Sequence, residues 1–167
     1  KPMIYWAIKS AKGSKLFDRI EVSSDSKKIL NIAKKFGIRN QSKRPKHLSN
    51  DYTNTFDVVK YEIRRIQQIE KKINYVCCIY ASAPFITPYD LKTSFLKLKK
   101  TKLNFVFMGK LVDSRALRSF TFNKKNNLKP TIIKFMKKRT QDLPKIYCDA
   151  GGFYWGTKNA WLQNKSV

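Results

Sequence analysis

Asn74 to Tyr80 reads NYVCCIY, a continuous run of apolar, β-favouring residues. It lacks the polar alternation of a half-exposed strand, and that is the pattern of a strand buried on both faces of a parallel sheet. Cys77 and Cys78 then read as two small hydrophobes on opposite strand faces. Downstream, ASAPFITPYD leads into a helix: Thr87 suits the cap, Pro88 the first helical position and Asp90 the first turn, with Leu91, Phe95 and Leu98 inward as far as about Lys100. Upstream, a helix from about 55 to 72 carries Phe56, Val59, Ile63, Ile66 and Ile69 on one face. A strand framed by two such helices predicts a layered α/β domain.

The alternation continues outward. Pro2, Ile4, Ile8 and Ala11 describe a helix from about 2 to 12 with Gly13 as its terminator. RIEVSS (19–24) follows as a strand, and DSKKILNIAKKFG (25–37) as a helix with Ile29, Ile32, Ala33 and Phe36 inward and Gly37 at its C-terminal cap. RNQSKRPKHLSNDYTNT reads as a polar loop. NFVFMG (104–109) is the next strand, RSFTFNKKNNLKP a hairpin around Asn126-Asn127, GGFYWG (151–156) a strand, and TKNAWL the start of a last helix. With no internal repeat or boundary, the 167 residues suit a single domain. Its opening, KPMIYWAIKS, has no initiating Met and no preceding strand, so a domain incomplete at its beginning is expected.

The balance of 36 basic against 11 acidic side chains gives a net charge of +25, a field that attracts polyanions such as nucleic acid or a nucleoside triphosphate. Only eight of the basic residues are arginine, so a compositional bias accounts for the charge equally well. The aromatics sit in apolar runs rather than interleaved with arginine, which speaks against nucleic acid as a partner. Cys77, Cys78 and Cys148 have no metal-ligand spacing, and a reduced, cytoplasmic protein is expected. No stretch approaches the roughly 20 apolar residues of a membrane span. His47 is the sole histidine and no serine or cysteine lies in an elbow motif, which sets aside the Ser-His-Asp and Cys-His classes. There is no G-x-x-x-x-G-K-[ST] loop.

In open α/β sheets ligands bind at the carboxyl ends of strands, so the loops after the strands hold the candidates. Three stand out: Arg44 to Thr55, Ala81 to Pro84, and Arg139 to Gly151. Each offers small residues, hydroxyls or arginine suited to a base, ribose or phosphate. Each also has a plainer reading: Thr53 or Thr55 capping a helix, ASAP as a tight turn, and Asp149 as a turn former.

Taken together, KPMIYWAIKSA, LFDRIEVSSDSKKILNIAKKFG, RPKHLSNDYTNT, YVCCIYASAPFITPYDL, RAL and RTQDLPKIYCDAGGFYWG occur in the order and spacing of the acylneuraminate cytidylyltransferases. The sequence most resembles the branch of that family that acts on pseudaminic acid. The resemblance implies a doubly wound, mostly parallel, Rossmann-like α/β sheet. It implies transfer of CMP from CTP, assisted by Mg²⁺, to a nine-carbon acidic sugar with release of pyrophosphate, in a protein that is often a homodimer. Arg44, Asp51, Thr53 and Thr55 match the segment that lies against the nucleotide, and Ala81, Ser82, Ala83 and Pro84 the loop between nucleotide and sugar. Arg139, Gln141, Asp149, Ala150 and Gly151 match the stretch facing the sugar, with Asp149 also a candidate metal ligand. Cys148 and Gly152 stand where that branch usually carries His and Gln. The family's triphosphate loop precedes the position of Lys1 and its D-x-D metal pair follows that of Val167, so the resemblance implies a chain truncated at both ends.

Overall fold

The computed structural model describes residues 1–70 and 72–163. In chain order they form α1 (Met3–Ser14), β1 (Glu21–Ser24), α2 (Lys27–Lys35), β2 (Asn40–Lys43), α3 (Thr55–Gln67), β3 (Tyr75–Ile79), α4 (Pro88–Lys100), β4 (Phe105–Val112), β5 (Phe120–Phe122), β6 (Leu128–Pro130), β7 (Ile146–Thr157) and α5 (Lys158–Leu162). Two compact units result, one made of Lys1–Phe107 and the residues from Gly151 on, the other of Met108–Ala150.

In the first unit, β1 and β2 run parallel, from Glu21↔Asn40 to Ser24↔Lys43, with α2 as the crossover. β2 lies inside the stretch expected to be loop. Its residues, NQSK, carry no apolar signal; the ladder with β1 makes the strand, and Gln41 Nε2 donates to the C=O of Leu30 at 2.7 Å. α2 starts at Lys27 and turns Leu30 and Ala33 inward, packing Ala33 with Ile8 and Ile38. Ile29, expected inward, is 41% exposed. Gly37 stands past the helix end at φ +75°, the left-handed conformation that favours glycine, and donates to Lys34 C=O.

Gly13 is a correction. α1 runs through it, and Lys15 takes the left-handed cap position at φ 54°. A Cβ on Gly13 would lie 3.0 Å from Pro88 Cγ, so the glycine permits close approach of α1 to the start of α4. Ser10 Oγ, buried in the same contact, donates to Ile86 C=O at 2.6 Å. α4 itself begins as its sequence predicts, with a reciprocal box in which Thr87 Oγ1 accepts from Asp90 N–H and Asp90 Oδ2 accepts from Thr87 N–H. Its buried Leu91 and Leu98 each contribute roughly 2 kcal/mol.

α3 is capped neither by Thr53 nor by Thr55 but by Asn54, whose Oδ1 accepts from Asp57 N–H at 2.9 Å. Val59 and Ile63 are its buried residues; the helix ends at Gln67, leaving Ile69 64% exposed. β3 pairs antiparallel with β7, from Tyr75↔Thr157 to Ile79↔Phe153, in a sheet of order β3-β7-β4. The parallel pairing expected for NYVCCIY is therefore replaced by an antiparallel one, and Val76 to Ile79 are half-buried rather than fully buried. An apolar run reports apolar surroundings on both faces and says nothing of strand direction. The α/β class stands, with parallel and antiparallel pairings mixed. The core beside β3 gathers Val59, Ile63, Phe105, Tyr154 and Trp161, and Trp161 Nε1 donates to Val76 C=O at 3.2 Å.

The second unit contains the expected hairpin: β5 and β6 pair antiparallel from Phe120↔Pro130 to Phe122↔Leu128, with Asn126 at φ 58° in the connection. Ser114–Arg118, Ile133–Phe135 and Thr140–Asp142 form short 3₁₀ turns. Ser114 Oγ donates to Pro144 C=O at 2.7 Å, and Leu143 is buried.

Candidate active site

Arg44 follows β2 directly, and its N–H donates to Ser24 C=O at 3.0 Å, which fixes the loop to the end of β1. Its Nε donates to Ser49 Oγ at 3.2 Å, and the guanidinium comes within 4.0 Å of Asp25 Oδ1. Beyond it, Asn50 organises the loop: Oδ1 accepts from the N–H of Tyr52 and of Thr53, and Nδ2 donates to His47 C=O, each at 2.9 Å. Thr53 Oγ1 reaches both Asn50 Oδ1 and His47 C=O. Asp51 is exposed at the tip of this turn, and His47 is exposed as its setting among lysines predicts.

Thr55, the first residue of α3, places its hydroxyl 2.6 Å from Tyr80 Oη, where either atom can donate. Tyr80 ends the central apolar run and begins the next loop: Ala83 N–H donates to its C=O at 3.1 Å, closing the turn that Ala81 and Ser82 occupy, before Pro84. ASAP is thus a tight turn and also lines a space. Arg44, Ser24, Tyr80, Ala81 and Ser82 face one cavity of about 540 Å³, whose floor includes Ala7 and Ile8 of α1. Of the nucleotide-side candidates, Arg44, Ala81 and Ser82 meet here, and Thr55 joins them through Tyr80. Asp51, Thr53, Ala83 and Pro84 stand in the same two loops and do not line the cavity.

A second cavity, about 500 Å³, opens between the starting ends of β1 and β3. Arg19 bonds Glu21 at 2.8 Å and Glu70 at 2.6 Å; Arg65 pairs with Glu21 and, at 2.8 Å, with Glu62. Burial, helped by the Arg19 charge, lowers the Arg65 pKa. None of the predicted site residues lines this cavity. Cys77 faces both cavities and Cys78 the first. Burial pushes both thiols up, Cys78 to about 12, so neither is a ready nucleophile.

Of the sugar-side candidates, Arg139, Gln141, Asp149 and Ala150 belong to the second unit and Gly151 to the first. Arg139 caps the turn at Thr140–Asp142, and its Nε donates to Asp142 Oδ2 at 2.8 Å. That pair is open to water, with Arg139 75% and Asp142 45% exposed. Gln141, Asp149 and Ala150 are exposed as well. Gly151 adopts φ +61°, and a Cβ there would lie 4.0 Å from Tyr80 Cδ2. Gly152 is buried and its C=O accepts from Tyr80 N–H at 2.9 Å. Arg118, absent from the predicted set, donates to Lys138 C=O and Thr140 Oγ1 and so holds the residues flanking Arg139. Tyr80, Ser49 and Asn50 are also additions. Asn50 was legible as an Asx turn, since asparagine before two residues and a threonine favours that geometry; the partnership of Tyr80 with a residue 25 positions away carried no sequence signal.

The chain superposes on a solved structure of CMP:2-keto-3-deoxy-manno-octonic acid synthetase complexed with CTP with a TM-score of 0.68, over 98% of this chain and 66% of that one, at 14% identity. The chain belongs to the cytidylyltransferase family, whose model matches residues 1–151. It is 36% identical, over all 167 residues, to a pseudaminic acid cytidylyltransferase of Campylobacter jejuni and spans 72% of that protein's length. It is 31% identical to a Helicobacter pylori protein named for pseudaminic acid cytidylyltransferase and UDP-2,4-diacetamido-2,4,6-trideoxy-beta-L-altropyranose hydrolase activities, covering 32% of it.

Proposed function

We propose that the protein transfers CMP from CTP to a nine-carbon acidic sugar, pseudaminic acid or a related nonulosonate, and releases pyrophosphate. The observation that carries this reading is the likeness to the Campylobacter pseudaminic acid cytidylyltransferase along the whole chain. The cavity bounded by Arg44, Ala81 and Ser82 agrees with it, since it lies at the carboxyl ends of β1 and β3. In the reaction the anomeric hydroxyl attacks the α-phosphorus of CTP, the bond to the β-phosphate oxygen breaks, pyrophosphate leaves, and the hydroxyl proton passes to solvent. The chain's residues serve it by holding the two substrates in line and by supplying positive charge to phosphate oxygens.

On this reading Arg44, Asp51, Thr53 and Thr55 hold the nucleotide, with Ala81 to Pro84 letting it approach the backbone. Arg139 takes the sugar carboxylate through its planar fork, displacing Asp142, beside Gln141, Asp149, Ala150 and Gly151. The net charge of +25 favours a triphosphate at long range.

Mg²⁺ is the cofactor this chemistry calls for, and it supplies charge neutralisation on the triphosphate. Among the described residues no group of three His, Cys, Asp or Glu side chains can hold a metal. Asp149 is exposed and offers a single carboxylate, whereas Mg²⁺ is usually bound through one or two carboxylates together with substrate phosphates. The described residues do not by themselves build a metal site. No helix of the described residues is long and apolar enough to cross a membrane. The same reading puts the enzyme in the cytoplasm, as a homodimer.

Isothermal titration with CTP, UTP and ATP tests the nucleotide half. CTP binding at least about tenfold tighter than UTP or ATP supports it; no heat with millimolar CTP refutes it.

A further inference from the structure

We infer that Tyr80 is a positioning residue that sets the spacing between the nucleotide loop and the Gly151 end of the sugar-facing segment, a role resting on the function proposed above. Four contacts of this one residue, with Thr55, Gly152, Ala83 and Tyr154, carry the inference. Its hydroxyl meets Thr55 Oγ1 at 2.6 Å, tying it to the first turn of α3 and so to the loop that begins at Arg44. Its N–H donates to Gly152 C=O at 2.9 Å, one step beyond the last β3·β7 register pair, Ile79↔Phe153. Its C=O accepts from Ala83 N–H, which founds the turn bearing Ala81 and Ser82. Its ring edge lies 4.0 Å from where a Gly151 Cβ would stand, while the ring itself leans on Tyr154 with centroids 5.5 Å apart.

Few side chains can make this set of contacts. A phenylalanine keeps the ring packing against Tyr154 and the backbone bonds, and loses only the link to Thr55. A shorter residue keeps the backbone bonds and loses both. The hydroxyl pair is half-buried, so neither oxygen is well solvated, and removing one leaves the other short of a partner. Thr55 then gains freedom, and Tyr80 loses a restraint where it lines the cavity with Ala81, Ser82 and Arg44. Because Tyr80 holds both Thr55 and the backbone of Gly152, its loss disturbs alignment of the reactants more than the affinity for nucleotide. Small misplacements of bound reactants are costly in rate.

The test uses Tyr80→Phe, Thr55→Val, their double variant, and Thr55→Ser as the conservative rescue. Steady-state pyrophosphate release with CTP and pseudaminic acid is expected to show kcat falling about five- to tenfold in Tyr80→Phe and Thr55→Val, with KM for CTP within about twofold of wild type in Tyr80→Phe. The double variant is expected to be no worse than either single one, and Thr55→Ser to restore most of kcat. Equal kcat in Tyr80→Phe and wild type overturns the inference, as do multiplying effects in the double variant. Amide exchange provides a readout that does not need catalysis: Tyr80→Phe is expected to speed exchange at residues 53–57, where the Thr55 link is lost, while leaving Ala83 and α4 protected. Wild type that turns over no CTP refutes the proposed function alone, and the exchange result then decides the role of Tyr80, with unchanged exchange overturning it.

Discussion

The two halves of β7 share one strand and behave as different materials. Tyr147 to Ala150 are exposed, whereas Gly152 to Gly156 are buried, with Phe153 and Trp155 at 3% and 2% exposure. The change falls at Gly151, at φ +61°, which is also where the two compact units divide. The buried half owes its position to aromatic packing: Trp155 stacks on Phe17 at 5.1 Å with rings 2° from parallel, and Tyr154 on Phe107 at 5.9 Å. The exposed half carries Asp149 and Ala150, which the functional reading turns toward substrate.

Thiol chemistry gives the widest separation between the halves. Cys148 lies in the exposed half, whereas Cys77 and Cys78 pair in register with Trp155 and Tyr154 of the buried one. With a disulfide reagent at pH 8, Cys148 is expected to react at least about 100-fold faster than Cys77 or Cys78, one thiol per chain counted before denaturant and three after. Burial raises the Cys78 pKa from its ordinary 9 to about 12, which favours the neutral thiol in the folded state. The stability this contributes is complete below pH 9 and is lost as pH climbs from 9 toward 12. Three fast thiols in the native protein would erase the distinction.

Packing supplies the next test. A Cβ on Gly156 would fall 2.5 Å from Phe105 Cε1 and 2.6 Å from Trp161 Nε1, atoms of rings wedged in the core. Gly156→Ala is expected to cost about 3 kcal/mol in urea unfolding. By contrast Arg139→Ala, in the water-exposed pair with Asp142, is expected to leave the melting temperature within about 1 °C, since exposed pairs contribute little. Its expected effect is on substrate, about 30-fold on KM for the acidic sugar and under threefold on KM for CTP. Equal effects on both would make Arg139 a structural residue. Smallest is Gly151→Ala at the junction, expected to cost about 1 kcal/mol because its left-handed backbone strains any L side chain.

What the sequence disclosed follows the same division between local and distant causes. The start of α4 was legible in Thr87, Pro88 and Asp90 because a cap is a property of four adjacent residues. The β5·β6 hairpin was legible for the same reason in Asn126-Asn127. β2 was hidden because NQSK becomes a strand only through β1, and the direction of β3 was hidden because its partner β7 lies more than 70 residues on. Gly13 misled since its cause is Pro88, far along the chain. The candidate loops were placed through resemblance and through their position after strands, and the Asx turn at Asn50 was legible within them, whereas the Asn54 cap and the Tyr80–Thr55 pair emerge only in the folded chain.

The most direct measurement of the central claim is mass spectrometry of the products formed from CTP with pseudaminic, legionaminic or sialic acid in the presence of Mg²⁺. The account predicts a CMP-sugar and one equivalent of pyrophosphate, formed fastest with pseudaminic acid and not at all when CTP is replaced by UTP. Pyrophosphate release without any CMP-sugar, or no consumption of CTP with any of the three acids, would contradict it.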